Sequence, residues 1–136
     1  MTKINNKEYK VTSVCYGDVV WVDLGEVFGS EQGGCRPAII VSNDKNNLYS
    51  SIVNIVPISS SKVKTQSKAY LPTHVPISPK EEGVTGIYRD SVAMCEQARP
   101  IDKLRILDKS GHICSEYIIN ALNRALTIQY NICYNR

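Results

Sequence analysis

The chemistry of this sequence concentrates in one loop, Gly29-Ser30-Glu31-Gln32-Gly33-Gly34-Cys35-Arg36-Pro37, which runs directly into the apolar segment Ala38-Ile39-Ile40-Val41-Ser42. A glycine pair lets backbone approach a ligand closely and expose N–H groups to it. Arg36 stands at the mouth of the apolar segment, where its planar fork of N–H donors suits phosphate or carboxylate. The same residues also suit a plain hairpin turn carrying a surface Glu31–Arg36 ion pair. Cys35 invites a nucleophile reading, but only His74 and His112 are available as bases. With no local signature around it, it reads as a small apolar residue.

Flanking elements must hold that loop. Asp18 to Leu24 is valine-rich and includes Trp21, which predicts a strand. Pro37 to Ser42 predicts a second strand, apolar enough to be buried on both faces. Asn43-Asp44-Lys45-Asn46-Asn47 carries turn chemistry, and Ser51 to Ile58 predicts a third strand. The polar stretch Ser59 to Lys68 reads as a flexible loop. Tyr70 to Ile77 reads as extended, with Pro72 and Pro76 favouring an edge. Ser78 to Gly86 is a further loop and Ser91 to Gln97 a further strand. Asp102 caps a short helical turn through Leu104. Ile118, Ile119, Leu122 and Leu126 recur at helical spacing, predicting a helix from an N-cap at Ser115 to about Ile132. The first 16 residues form a polar N-terminal extension, and residues 17–136 a single domain. The fold class is mostly β (α+β).

The 136 residues, 43% hydrophobic and 21% charged, suit one globular domain with a real core. A net charge of +3 permits an anionic partner without requiring one. Five widely spaced cysteines fit neither a disulfide framework nor a zinc site, so reduced thiols are expected. No metal-ligand cluster, secretory leader or membrane-spanning run is visible, and a cytoplasmic protein with no membrane partner is expected.

Gly17-Asp18-Val19-Val20-Trp21-Val22-Asp23-Leu24, the glycine loop, Val41-Ser42-Asn43-Asp44, Leu71-Pro72-Thr73-His74-Val75, Arg89-Asp90-Ser91-Val92 and Glu96-Gln97-Ala98-Arg99-Pro100-Ile101-Asp102 succeed one another in this order. Together they resemble the MazF/PemK toxin family from about Gly17 to the C-terminal helix. The resemblance implies a small SH3-like barrel of the CcdB/PemK type, with short helices and a C-terminal α-helix. It also implies a sequence-specific, metal-independent endoribonuclease that cuts single-stranded RNA without a cofactor. Such a toxin inhibits translation and growth, works as a homodimer, and is held in check by a MazE-like antitoxin.

In that chemistry the ribose 2′-OH attacks the adjacent phosphate, so the protein must oppose developing negative charge and manage two protons. The resemblance assigns Arg36 to the phosphate oxygens. It places a hydroxyl at Ser59, where the family pattern has threonine, with Ser60 and Ser61 as adjacent alternatives. Glu31 either orients the arginine or accepts the 2′-proton. Ser30, Gln32, Gly33 and Gly34 are candidates for phosphate or base edges, as is the Gln97 amide. Lys62, Lys64 and Lys68 could steer the RNA backbone, and Phe28 and Tyr70 could stack bases. His74 matches a family position but shows no evident catalytic partner and reads as structural. A CcdB-like, non-enzymatic toxin that binds DNA gyrase is the alternative. It is disfavoured because the activity in that group rests on a C-terminal tryptophan, whereas the only tryptophan here is Trp21.

Overall fold

The structure, a computed structural model, describes residues 3–4, 7–60 and 71–133. In chain order its strands are β1 (Lys3–Ile4), β2 (Lys7–Glu8), β3 (Asp18–Asp23), β4 (Cys35–Ile40), β5 (Ile52–Ser59), β6 (His74–Ile77), β7 (Ser91–Met94), β8 (Arg99–Asp102) and β9 (Ile106–His112). Helix α1 (Asp44–Tyr49) lies between β4 and β5, and α2 (Glu116–Gln129) closes the fold. β1 and β2 pair with each other. The remaining seven strands form an antiparallel sheet of order β6-β7-β5-β4-β3-β9, with β8 also pairing β5. A mostly β domain with a C-terminal helix is thus what the sequence led us to expect.

β5 organises the sheet. One edge of it pairs β4 through Ala38↔Pro57, Ile39↔Val56 and Ile40↔Ile55. Its other edge is shared: Ile52 to Ile55 pair β8, and Ile58 and Ser59 pair β7. Because successive side chains point to opposite faces, these strands feed two cores. Val19, Ile39, Val56 and Ile58 face one core, which Ile118, Leu122 and Ala125 of α2 complete. Val20, Val22, Ala38, Ile40, Val53 and Ile55 face the other, with Ile101 and Ile106. β4 is therefore buried on both faces over Ala38–Ile40, while Cys35 at its start is exposed. Val14 is buried in the second core and Val11 packs beside it, so the end of the N-terminal extension is anchored to the domain.

Local departures from the sequence reading have clear causes. The Asn43–Asn47 turn is the first part of α1: the Asn43 side chain accepts from Asn46 N–H, the same bond that would close an Asx turn, here used as an N-cap. The strand expected over Ser91–Gln97 stops at Met94, and Cys95–Gln97 forms a 3₁₀ turn. β9 carries no strand signal, since its apolar residues are confined to Ile106 and Leu107 and only Ile106 is buried. The Asp102 cap is present and accepts from Leu104 N–H at 2.9 Å. Ser115 caps α2 as expected, bonding Ile118 N–H.

Candidate active site

β3 and β4 pair antiparallel through Val22↔Arg36 and Asp23↔Cys35, leaving residues 24–34 as the connecting loop. Leu24 N–H donates to the Gly34 carbonyl at 2.9 Å, and Gly34 N–H to the Gly25 carbonyl at 2.9 Å, which pinches the base of the loop. Gly34 has φ +70° and open space around it, so it supplies a left-handed backbone turn. Gly33 is present for another reason. A Cβ there would sit 2.6 Å from Val27 Cγ2 and 2.9 Å from the Gly25 carbonyl.

Arg36 donates its Nε–H to the Gly33 carbonyl at 3.0 Å. That bond fixes the guanidinium at Nε and leaves its terminal N–H groups as further donors. Among the described residues no carboxylate lies within ion-pair distance of Arg36. Partial burial lowers its pKa from the usual arginine range, the direction expected when water is withdrawn from a cation. An arginine that is partly desolvated, fixed at one nitrogen and unmatched by an acid is disposed to take an anion.

Glu31 does not pair with Arg36. Its Oε1 accepts from Phe28 N–H at 2.8 Å while its own N–H donates to the Phe28 carbonyl at 3.0 Å, closing a compact turn within the loop. The carboxylate therefore shapes the loop tip and does not aim the arginine by direct contact. Phe28, at that tip, is 88% exposed. It is not a core aromatic, and its ring is available to a flat partner.

Ser59 ends β5 and is buried. The β4–β5 ladder ends at Ala38↔Pro57, with Arg36 two residues before that pair on β4 and Ser59 two residues beyond it on β5. The guanidinium and the hydroxyl thus issue from one end of the same strand pair. Ser60 is exposed and lines a separate cavity of about 400 Å³ with Trp21, Pro37 and Arg89. Ser61, Lys62, Lys64, Lys68 and Tyr70 lie outside the described residues.

Gln97 joins the loop from the far side. Its Oε1 accepts from Gln32 N–H at 3.2 Å, and its Nε2 donates to the Ser30 carbonyl at 3.2 Å. Both ends of the amide are thereby used, and the loop is held against the 3₁₀ turn. A cavity of about 350 Å³ opens between them, lined among others by Glu26, Glu31, Gln32, Glu96, Gln97 and Arg99. Glu96 carries no sequence signal of a role in the site. Its Oε1 accepts from the Thr73 hydroxyl at 3.1 Å and its Oε2 lies 2.9 Å from His74 Nε2. His74, expected from the sequence to be structural, bonds Glu96 22 residues away, a separation no local pattern reveals.

Residues 16–130 match the family model described as the PemK-like, MazF-like toxin of type II toxin-antitoxin systems. The chain belongs to that family. It is 42% identical over 112 residues to the endoribonuclease EndoA of Bacillus subtilis strain 168, covering 82% of this chain and 90% of that protein. It is 38% identical over 116 residues to the endoribonuclease MazF of Staphylococcus saprophyticus, covering 85% and 90%. Among solved structures, MazF from Deinococcus radiodurans superposes with a TM-score of 0.68 at 22% identity, over 88% of this chain and 98% of that one. A mycobacterial endoribonuclease in complex with its cognate antitoxin gives 0.68 at 21% identity, over 90% and 100%. These structures share the fold.

Proposed function

We propose that this protein is a metal-independent endoribonuclease that cuts single-stranded RNA at a short sequence and serves as the toxin of a type II pair. The observation that carries the reading is Arg36: tied at Nε to Gly33, without an acidic partner among the described residues, and at the same end of the β4–β5 ladder as Ser59. In the reaction the 2′-oxygen forms a bond to phosphorus while the bond to the 5′-oxygen breaks, leaving a 2′,3′-cyclic phosphate and a 5′-hydroxyl. Arg36 opposes the charge that grows on the non-bridging oxygens. The Ser59 hydroxyl donates a further hydrogen bond to them. Glu31 stands within the same loop as the candidate acceptor of the 2′-proton, and the leaving oxygen takes a proton from Arg36 or from water.

Phe28 stacks an unpaired base, Ser30, Gln32 and the Gly33-Gly34 backbone read its neighbours, and Gln97 contributes by holding that loop in place. Lys62, Lys64, Lys68 and Tyr70 extend the RNA contact along the chain after Ser59. The Bacillus and Staphylococcus relatives are both named endoribonucleases, which supports this assignment. An antitoxin-bound endoribonuclease with the same fold supports an antitoxin partner for this chain; we further take the toxin to work as a homodimer. The test is a single-stranded RNA that the protein cleaves at one site, compared with the same strand bearing a 2′-deoxy nucleotide on the 5′ side of that site. Cleavage of the first to a cyclic phosphate, with the second left whole, is expected. Equal cleavage of both would overturn the 2′-OH mechanism.

A further inference from the structure

The loop that carries Gly33 is tied to distant elements at few points. Among the described residues, Gln97 makes the only side-chain hydrogen bonds from outside β3, the loop and β4 to the segment 28–33. The orientation of Gln97 therefore sets the position of that segment. What sets Gln97 is the residue before it. Both oxygens of the Glu96 carboxylate are engaged, one by the Thr73 hydroxyl and one by His74 Nε2. His74 Nδ1 in turn accepts from Leu71 N–H at 3.4 Å, so the two contacts together require the tautomer that carries its proton on Nε2 and donates it to Glu96. Backbone bonds reinforce the strap: Cys95 N–H donates to the Thr73 carbonyl at 3.0 Å, beside the His74↔Met94 pair of β6 and β7.

We propose that His74 and Glu96 are positioning residues for Arg36, acting through Gln97. The path is continuous. Thr73 and His74 fix Glu96 on the 3₁₀ turn, the turn presents the Gln97 amide, and that amide grips Ser30 and Gln32. Gly33 is next in the chain and holds Arg36 Nε. Neither His74 nor Glu96 is required to touch the reacting atoms in this role.

The activity arm of the test rests on the endoribonuclease reading; the spectroscopic arm does not. His74→Phe keeps a ring and removes the donor, Glu96→Gln keeps the shape and removes the charge, and His74→Gln restores a donor. On single-stranded RNA, His74→Phe and Glu96→Gln should each lower kcat about tenfold with KM within about twofold, as a displaced catalytic group would. His74→Gln should recover most of that loss. Combining either variant with Gln97→Ala should cost no more than Gln97→Ala alone, because all act through one contact. In the free protein, the Arg36 Nε–H should exchange with solvent faster in His74→Phe and Glu96→Gln than in the wild type. Folded variants with unchanged Arg36 exchange, or losses that multiply with Gln97→Ala, would overturn the proposal. A wild-type protein that cuts no RNA would defeat the ribonuclease reading, and the exchange measurement would still decide the strap.

Discussion

Arg36 gives its Nε–H to the carbonyl of Gly33, three residues earlier, at 3.0 Å. This one bond ties a flexible cationic side chain to the loop backbone at a single nitrogen. It also makes the loop and the arginine a single device, since anything that moves Gly33 moves the guanidinium.

Arg36→Ala should reduce the first-order cleavage rate by about 10²–10³-fold, the range seen when one preorganised donor to developing charge is removed. Arg36→Lys should recover little of it, because an ammonium has no Nε–H to bond Gly33 and no planar fork. Thermal unfolding of both should stay close to the wild type, since Arg36 is only partly buried and forms no ion pair among the described residues.

Ser59→Ala removes the hydroxyl and should slow cleavage about 10²-fold. Ser59→Thr keeps the hydroxyl and adds the stiffness of a β-branched rotamer, so it should be at least as active as the wild type. Rates of the two variants on one RNA substrate check this. An inactive Ser60→Ala beside an active Ser59→Ala would move the role to the neighbouring hydroxyl.

The two loop glycines should respond in opposite order. Gly34 needs a left-handed backbone and has space around it, so Gly34→Asn should be tolerated better than Gly34→Ala. Gly33 needs space, and there Asn should be worse than Ala, with Gly33→Ala itself costing about 1–3 kcal/mol. Urea unfolding of the four variants gives the ranking directly.

Burial, with the charge of Glu96 adding to it, pushes the Cys95 thiol up to about 12. Cys15, Cys35, Cys114 and Cys133 are exposed. Iodoacetamide at neutral pH should therefore label those four in the folded protein and reach Cys95 only after denaturation, as read by mass spectrometry. The same shift gives stability a pH dependence of fixed sign. An unfolded thiol ionises near 9.0, so the buried protonated form contributes its full stability below that pH and loses it as pH rises toward about 12. The urea midpoint of the wild type should fall more steeply above pH 9 than that of Cys95→Ala.

Local patterns made most of the strands and the terminal helix readable. The β4 segment is a continuous apolar run because both its faces are covered, and α2 shows its buried stripe at Ile118, Leu122 and Ala125. Arg36 was legible as a candidate because its loop lies between two such strands. The Asn43–Asn47 segment reads as a turn because an Asx turn and a helix N-cap use the same side-chain bond, and only the continuation of the helix through Leu48 and Tyr49 separates them. β9 was silent because an edge strand with polar flanks has no period-two apolar signal. The strap from His74 to Glu96 was invisible for a different reason. It depends on the register of β6 against β7, and sequence spacing carries no information about that pairing.

The central claim is that the loop and Arg36 cut RNA through the substrate's own 2′-OH. Its most direct test is the purified protein with a defined single-stranded RNA in excess EDTA, run beside Arg36→Ala. Cleavage in EDTA to fragments ending in a 2′,3′-cyclic phosphate, with RNA left intact by the variant, is expected. RNA that stays whole with the wild type, or is cut only after a divalent metal is added back, would contradict it.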